Sequence, residues 1–230
     1  MSTRGETISP RALQAARWAA ELGAITAEAL AIRSQVSLAS ARGVLRSAER
    51  AGLLARSQPL HRRPPLFAVT TRGLRATDTL GLRVGRVSAS NAAHLAAVAE
   101  VAATLGRRHP DHRVQGEREL RRDEQLAGRA LASARLGLTP EGAPAWHRAD
   151  LILWPRDGGG PVAVEVELTI KAPRRLGNIC RAWARCQLVA GVLYYAPLDV
   201  TPAVRRAIET TQAADRVVLL ALDGVLSRPR

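Results

Sequence analysis

Residues 149–171 read ADLILWPRDGGGPVAVEVELTIK, and no other stretch limits the fold of this chain so tightly. Two apolar runs flank a proline and three consecutive glycines, which predicts a β-hairpin carrying Asp150 on one strand and Glu165 on the other. Side chains alternate along a strand, so Val162, Val164, Val166 and Leu168 share one face, and Glu165, Glu167, Thr169 and Lys171 the other. Carboxylates side by side on a strand repel and need solvent or a cation. In one account Arg148, Arg174 and Arg175 supply the positive charge. In the other, Asp150 and Glu165, joined by Glu167, hold a hard divalent metal, Mg²⁺ or Mn²⁺. A metal-bound water would then attack phosphorus while Lys171 acts as a positive donor beside the phosphate. The first account needs no cofactor.

At 230 residues the chain exceeds the usual single-domain size, and the division expected is residues 1–86 and residues 87–230. In the first part, Ser9 and Pro10 open a helix over 10–22, Thr26 opens a second over 26–33, and Ser37 caps a third over 38–51 that Gly52 stops. Leu38, Ala41, Leu45 and Ala48 repeat at helical spacing in the third. Strands at 53–56 and 66–70 flank the basic tip SQPLHRRPP, and TTRGLRATD begins a fourth helix. Ser40, Arg42, Arg46 and Arg50 lie along the polar side of the third helix, with His61, Arg62 and Arg63 at the tip. Such side chains suit the groove and phosphates of double-stranded DNA.

Charge points the same way. The net charge is +14, and residues 1–86 hold fourteen arginines against five acids, a net of +9. Polyanions are the natural partners. A membrane is disfavoured, because the basic residues border no amphipathic stretch with large apolar anchors and no run reaches about 18 apolar residues. The opening residues also lack the apolar core of a signal peptide, so a cytoplasmic location is expected. Thirty-three of the basic residues are arginine, and the single lysine is Lys171, within the carboxylate-bearing segment.

The second part alternates helix and strand in the manner of an α/β domain. A small-residue helix over 88–105 packs against a sheet or a second subunit, the latter making the chain a homodimer. A strand at 112–115, the charged run GERELRRDE and a long loop over 125–145 precede the hairpin. A helix over 173–189, a strand at 191–196, a helix over 201–213 and a strand at 216–222 follow. Cys180 and Cys186 read as packing residues, and Trp154 and Trp183 as core. Arg181 and Arg185 lie one turn apart and would extend a track of phosphate contacts. Glu100 and Glu117 are either further acids of the carboxylate site or ordinary surface.

The succession AGLLAR, basic hairpin, VTTRG resembles the winged helix-turn-helix domains of bacterial regulators. The order helix, three strands, helix, strand is similar to the αβββαβ core of the PD-(D/E)XK nucleases, with RAD in place of PD and EVE in place of ExK. HRADLIL, GGPVAVEVELTIKAPRRL and the later YY, joined to a winged helix, resemble the replication-relaxation proteins of actinobacterial plasmids and mobile elements. The resemblance implies a winged helix that grips duplex DNA and a nuclease-like domain that nicks or cleaves it with a divalent metal. Its site would comprise Asp150, Glu165, Glu167 and Lys171, with the metal on Asp150 and Glu165. Two departures stand out: Ala149 replaces the proline, and the nuclease lysine falls at Glu167 or Thr169, leaving Lys171 as the substitute. The alternative is a transcriptional regulator that binds DNA without cleaving it and uses its α/β domain for dimerisation or effector sensing.

Overall fold

A computed structural model describes residues 8–79 and 81–224; residues 1–7, on which the expectation about a signal peptide rests, lie outside it. The chain divides into two compact units, Met1–Arg107 and Arg108–Arg230.

In the first unit, α1 (Pro10–Leu22), α2 (Ala27–Ser34) and α3 (Leu38–Arg50) start where polar side chains cap them. Oxygens of Ser9, Thr26 and Ser37 accept the N–H groups of Ala12, Ala29 and Ser40 at 3.2, 3.1 and 3.2 Å. Each bond satisfies a donor that the first helical turn leaves without a partner. The faces turned inward are largely alanine, with Trp18, Leu22, Leu30 and Leu45 as the larger buried groups, and small residues let the helices approach closely. The Arg33 guanidinium lies over the Trp18 ring, 4.7 Å from its centroid.

Strands β1 (Leu54–Ser57) and β2 (Leu66–Val69) pair antiparallel, Leu54 opposite Val69 and Ser57 opposite Leu66. Ile25 adds a bridge to Phe67 through N–H to carbonyl bonds of 3.0 and 2.8 Å. Thr70 then caps α4 (Thr71–Ala76) by accepting the Gly73 N–H at 3.0 Å, while its hydroxyl donates to the Gly52 carbonyl at 2.6 Å. Gly73 is required sterically, since a Cβ there would stand 2.2 Å from the Leu53 carbonyl oxygen. Helix α5 (Ala92–Arg108) ends the unit. Its Ala92 belongs to a buried cluster with Ala24, Leu66 and Ala68, against which Leu95 and Ala96 also pack. These contacts explain why the division falls between Arg107 and Arg108 rather than at residue 86, where sequence placed it.

The second unit is α/β. A five-stranded sheet runs in the order β3 (His112–Gly116), β6 (Leu151–Pro155), β7 (Val162–Val166), β8 (Gly191–Ala196), β9 (Val217–Ala221). The first two pairings are antiparallel and the last two parallel. Helices α7 (Pro173–Ala184) and α8 (Thr201–Thr210) cover one face. Leu176, Ile179, Cys180 and Trp183 of α7 and Val204 and Ile208 of α8 form one core with Ile152, Ala163, Val192 and Tyr194 of the strands. Trp183 and both cysteines are buried, as expected of packing residues, and the Trp154 indole donates to Gln115 at 2.6 Å.

Several expectations fail here. The charged run and loop before the hairpin are α6 (Glu117–Ala127) and an antiparallel pair, β4 (Ala134–Leu138) with β5 (Pro144–His147). Helix α7 stops at Ala184, before the Ala190 N–H bonds the Pro161 carbonyl at 2.7 Å and the chain enters β8. Strand β7 ends at Val166, so Thr169 and Lys171 are not strand residues. Among the described residues no helix is long and apolar enough to cross a membrane.

Candidate functional site

The first unit carries a basic surface built on α3 and the β1–β2 tip. Ala41, Leu45 and Ala48 bury one side of α3, which leaves Ser40, Arg42, Arg46 and Arg50 exposed. Arg42, Arg46 and Arg50 succeed one another every turn. Arg42 approaches Glu28 at 3.7 Å, whereas Arg46 and Arg50 have no carboxylate within ion-pair distance among the described residues. Ser40 is part of the cap, its hydroxyl 3.0 Å from that of Ser37. His61, Arg62 and Arg63 are all exposed at the tip, where Arg62 adopts a left-handed conformation (φ 56°) and the Gln58 amide donates to the Arg63 carbonyl at 3.2 Å. Every basic residue that sequence singled out here therefore faces solvent on one helix or one turn.

The second unit gathers the carboxylates. Glu165 is opposite Tyr194 in the parallel β7–β8 pairing, on the face covered by α7. Its Oε1 accepts the Trp183 indole N–H at 2.8 Å and lies 2.6 Å from His147 Nε2. The His147 ring also stands edge-on to Trp183, centroids 5.7 Å apart. Burial pushes the Glu165 carboxyl up from its ordinary pKa, with the Asp150 charge adding to the rise and His147 opposing it. Burial alone would lower the His147 imidazole, but the Glu165 charge and hydrogen bond, with Asp150 behind them, outweigh it and the pKa is raised. Both directions favour the protonated form of each group, and the 2.6 Å contact between Nε2 and Oε1 is a hydrogen bond.

Asp150 sits immediately before β6. Its carbonyl accepts the Glu117 N–H at 3.0 Å, and its Oδ2 accepts the Val166 N–H at 2.7 Å, tying the end of β7 to the start of β6. Glu167 is as buried as Glu165 and accepts a hydrogen bond from Lys171, which arrives from the segment before α7 rather than along the strand. The Tyr194 hydroxyl is buried without a hydrogen-bond partner among the described residues. Burial, then the charges of Glu165 and Glu167, push its ionisation far up.

The structure thus brings Asp150, Glu165, Glu167 and Lys171 together but corrects how their charges are met. Arg148 does not serve Glu165 or Glu167: it donates to Glu124 at 2.7 Å, a buried carboxylate that also accepts the Ser133 hydroxyl at 2.6 Å and the Leu131 N–H at 3.0 Å. Arg174 and Arg175 are exposed and make no ion pair among the described residues. His147, Trp183 and Lys171 do that work instead. His147 stands in the same HRAD motif as Asp150, as the last residue of β5, a strand that the sequence did not announce. Glu100 belongs to the first unit, where burial and the nearby Glu28 raise its pKa, and Glu117 pairs with Arg121 on α6. Neither joins the site.

The residues as arranged do not fit a divalent metal on Asp150 and Glu165. One Glu165 oxygen is held by two nitrogen groups, one Asp150 oxygen by a main-chain N–H, and among the described residues no group of three or more His, Cys, Asp or Glu is placed to hold an ion. No protein-family model, no curated protein and no solved structure matches this chain.

Proposed function

We propose that this chain is a double-stranded DNA-binding protein of plasmid or mobile-element replication. The first unit acts as a winged helix-turn-helix, with α3 entering the major groove and the β1–β2 tip contacting backbone or minor groove. The observation that carries the reading is the exposure of Arg46, Arg50, Arg62 and Arg63 on these two elements, with Arg46 and Arg50 unmatched by acids. In the second unit, the order of α5, β3, β6, β7, α7 and β8 and the antiparallel-then-parallel pairing support a PD-(D/E)XK-like domain. Its carboxylates are closed by His147 and Lys171, which favours a binding role over cleavage.

Fluorescence anisotropy with a labelled duplex tests the first unit's role. Arg46→Ala and Arg62→Ala should each weaken binding and make log K less steep in log[salt] by about one unit. Binding that is unchanged in both variants counts against the reading. For the second unit, supercoiled plasmid incubated with Mn²⁺ should show no nicking that depends on Glu165. Nicking by the unaltered chain that Glu165→Ala abolishes would restore cleavage.

A further inference from the structure

Helix α7 presents a second basic surface that the winged-helix reading leaves unused. Arg174, Asn178, Arg181 and Arg185 are spaced four, three and four residues apart, so they form one stripe along the helix. All four are exposed, and Arg175 stands exposed beside the stripe's start. The opposite side of α7, through Leu176, Ile179, Cys180 and Trp183, is locked into the core and fixes the stripe's direction. From Arg174 to Arg185 the rise is about 16 Å.

Three observations separate this stripe from an ordinary solvated face. First, residues 168–198 contain no acid, while they carry Lys171, Arg174, Arg175, Arg181 and Arg185. Second, none of the four arginines has a carboxylate within ion-pair distance among the described residues; the polar side-chain contact made is Arg181 to Asn178 Oδ1 at 3.0 Å. Elsewhere in the unit Arg113, Arg122 and Arg148 meet Glu119, Asp123 and Glu124, while Arg129, Arg135, Arg156, Arg205 and Arg206 are exposed without an ion pair among the described residues; what distinguishes the α7 arginines is their alignment along one helix in an acid-free segment. Third, Arg174 and Arg175 occupy the first turn of a helix that has no acidic residue there and no side-chain cap. Cations at a helix N-terminus oppose the dipole, so the helix is less stable for them. Free N–H groups and guanidinium groups at the same end suit an anion.

We infer that the α7 stripe is a second phosphate-binding surface, and that its ligand is the backbone of double-stranded DNA. The inference rests on the reading of the chain as a DNA-binding protein and adds that the second unit holds DNA with its own residues. Three guanidinium groups in line over about 16 Å, with that of Arg175 beside the first, fit backbone phosphates and contribute affinity without sequence preference.

Titration of the full chain onto a duplex of about 30 base pairs, between about 50 and 200 mM salt, tests it. Replacing Arg174, Arg175, Arg181 and Arg185 with Ala should make the dependence of log K on log[salt] less steep by about two to three and a half units. Replacing the same four with Lys should keep the steepness, because the charge is retained. Equal binding by the Ala variant and the unaltered chain overturns the inference and leaves the winged-helix reading standing. Conversely, Arg46→Ala/Arg50→Ala/Arg62→Ala that binds like the unaltered chain, while the α7 variant loses affinity, removes the winged-helix reading and keeps the stripe. Circular dichroism establishes that each variant folds, and if the four-residue variant does not, Arg174/Arg175 and Arg181/Arg185 are replaced as separate pairs. Phosphatidylserine vesicles are the remaining arm: capture that the Ala variant loses, with duplex binding unaffected, assigns the stripe to lipid and overturns DNA.

Discussion

The hydrogen-bonded pair His147 and Glu165 gives the second unit a pH dependence whose sign can be worked out. Both groups have raised pKa values in the folded chain. Their contribution to stability is complete below the unfolded values, about 4.3 for Glu and 6.5 for His, and is lost as pH rises through the folded ones. Thermal unfolding should therefore fall in temperature between pH 5 and pH 8, and Glu165→Gln should flatten that fall. An unaltered slope in the variant would show that the pair is not its source. Glu124 offers a contrasting case, a buried carboxylate satisfied by Arg148, Ser133 and the Leu131 N–H. Glu124→Ala should destabilise by about 3 kcal/mol in denaturant unfolding, because Arg148 and two further donors lose their acceptor. A loss below about 1 kcal/mol, the size of an exposed pair, would refute the assignment. At this scale the sequence pointed to Glu165 and Glu167, which are buried, but not to Glu124 or to the partners of Glu165: His147 and Trp183 are each 18 residues from it.

Elements of the first unit were read almost entirely from local chemistry. Ser9, Thr26, Ser37 and Thr70 cap the helices, and the apolar spacing of α3 fixed its buried side. Gly73 belongs to the same phrase, and its reason is steric. Gly73→Ala should cost about 1–3 kcal/mol, since the added methyl meets the Leu53 carbonyl and the Val69 side chain. Unfolding of this variant at the same denaturant midpoint as the unaltered chain would mean that α4 shifts freely. The second unit was less legible. Helix α6 carries charge all along it, so no apolar period announced it, and only Glu119, Leu120 and Glu124 are buried. The β4–β5 pair leaves Leu136, Leu138 and Trp146 partly exposed, so it lacks the clean alternation by which strands are recognised. Strand β7 was legible but overextended, because alternation of side chains continues to Lys171 while the pairing with β8 stops at Val166.

Across the whole molecule, charge is the property that links the two units. Two basic surfaces, α3 with the β1–β2 tip and the α7 stripe, would together release more counterions than either alone. The unaltered chain should show a log K against log[salt] slope of about −6 to −8 on duplex DNA. A slope shallower than about −4 would mean that only one surface engages. Composition, net charge, capping residues and the β6–β7 hairpin were determined by the sequence itself, because each depends on neighbours a few positions away. The tertiary structure decided the rest: the boundary at Arg107, the burial of Glu165 and Glu167, and the choice of His147 and Lys171 over arginine as their partners. Those outcomes depend on which segments the sheet order brings together, and on the cost of leaving a buried charge unmatched, neither of which is written in local spacing.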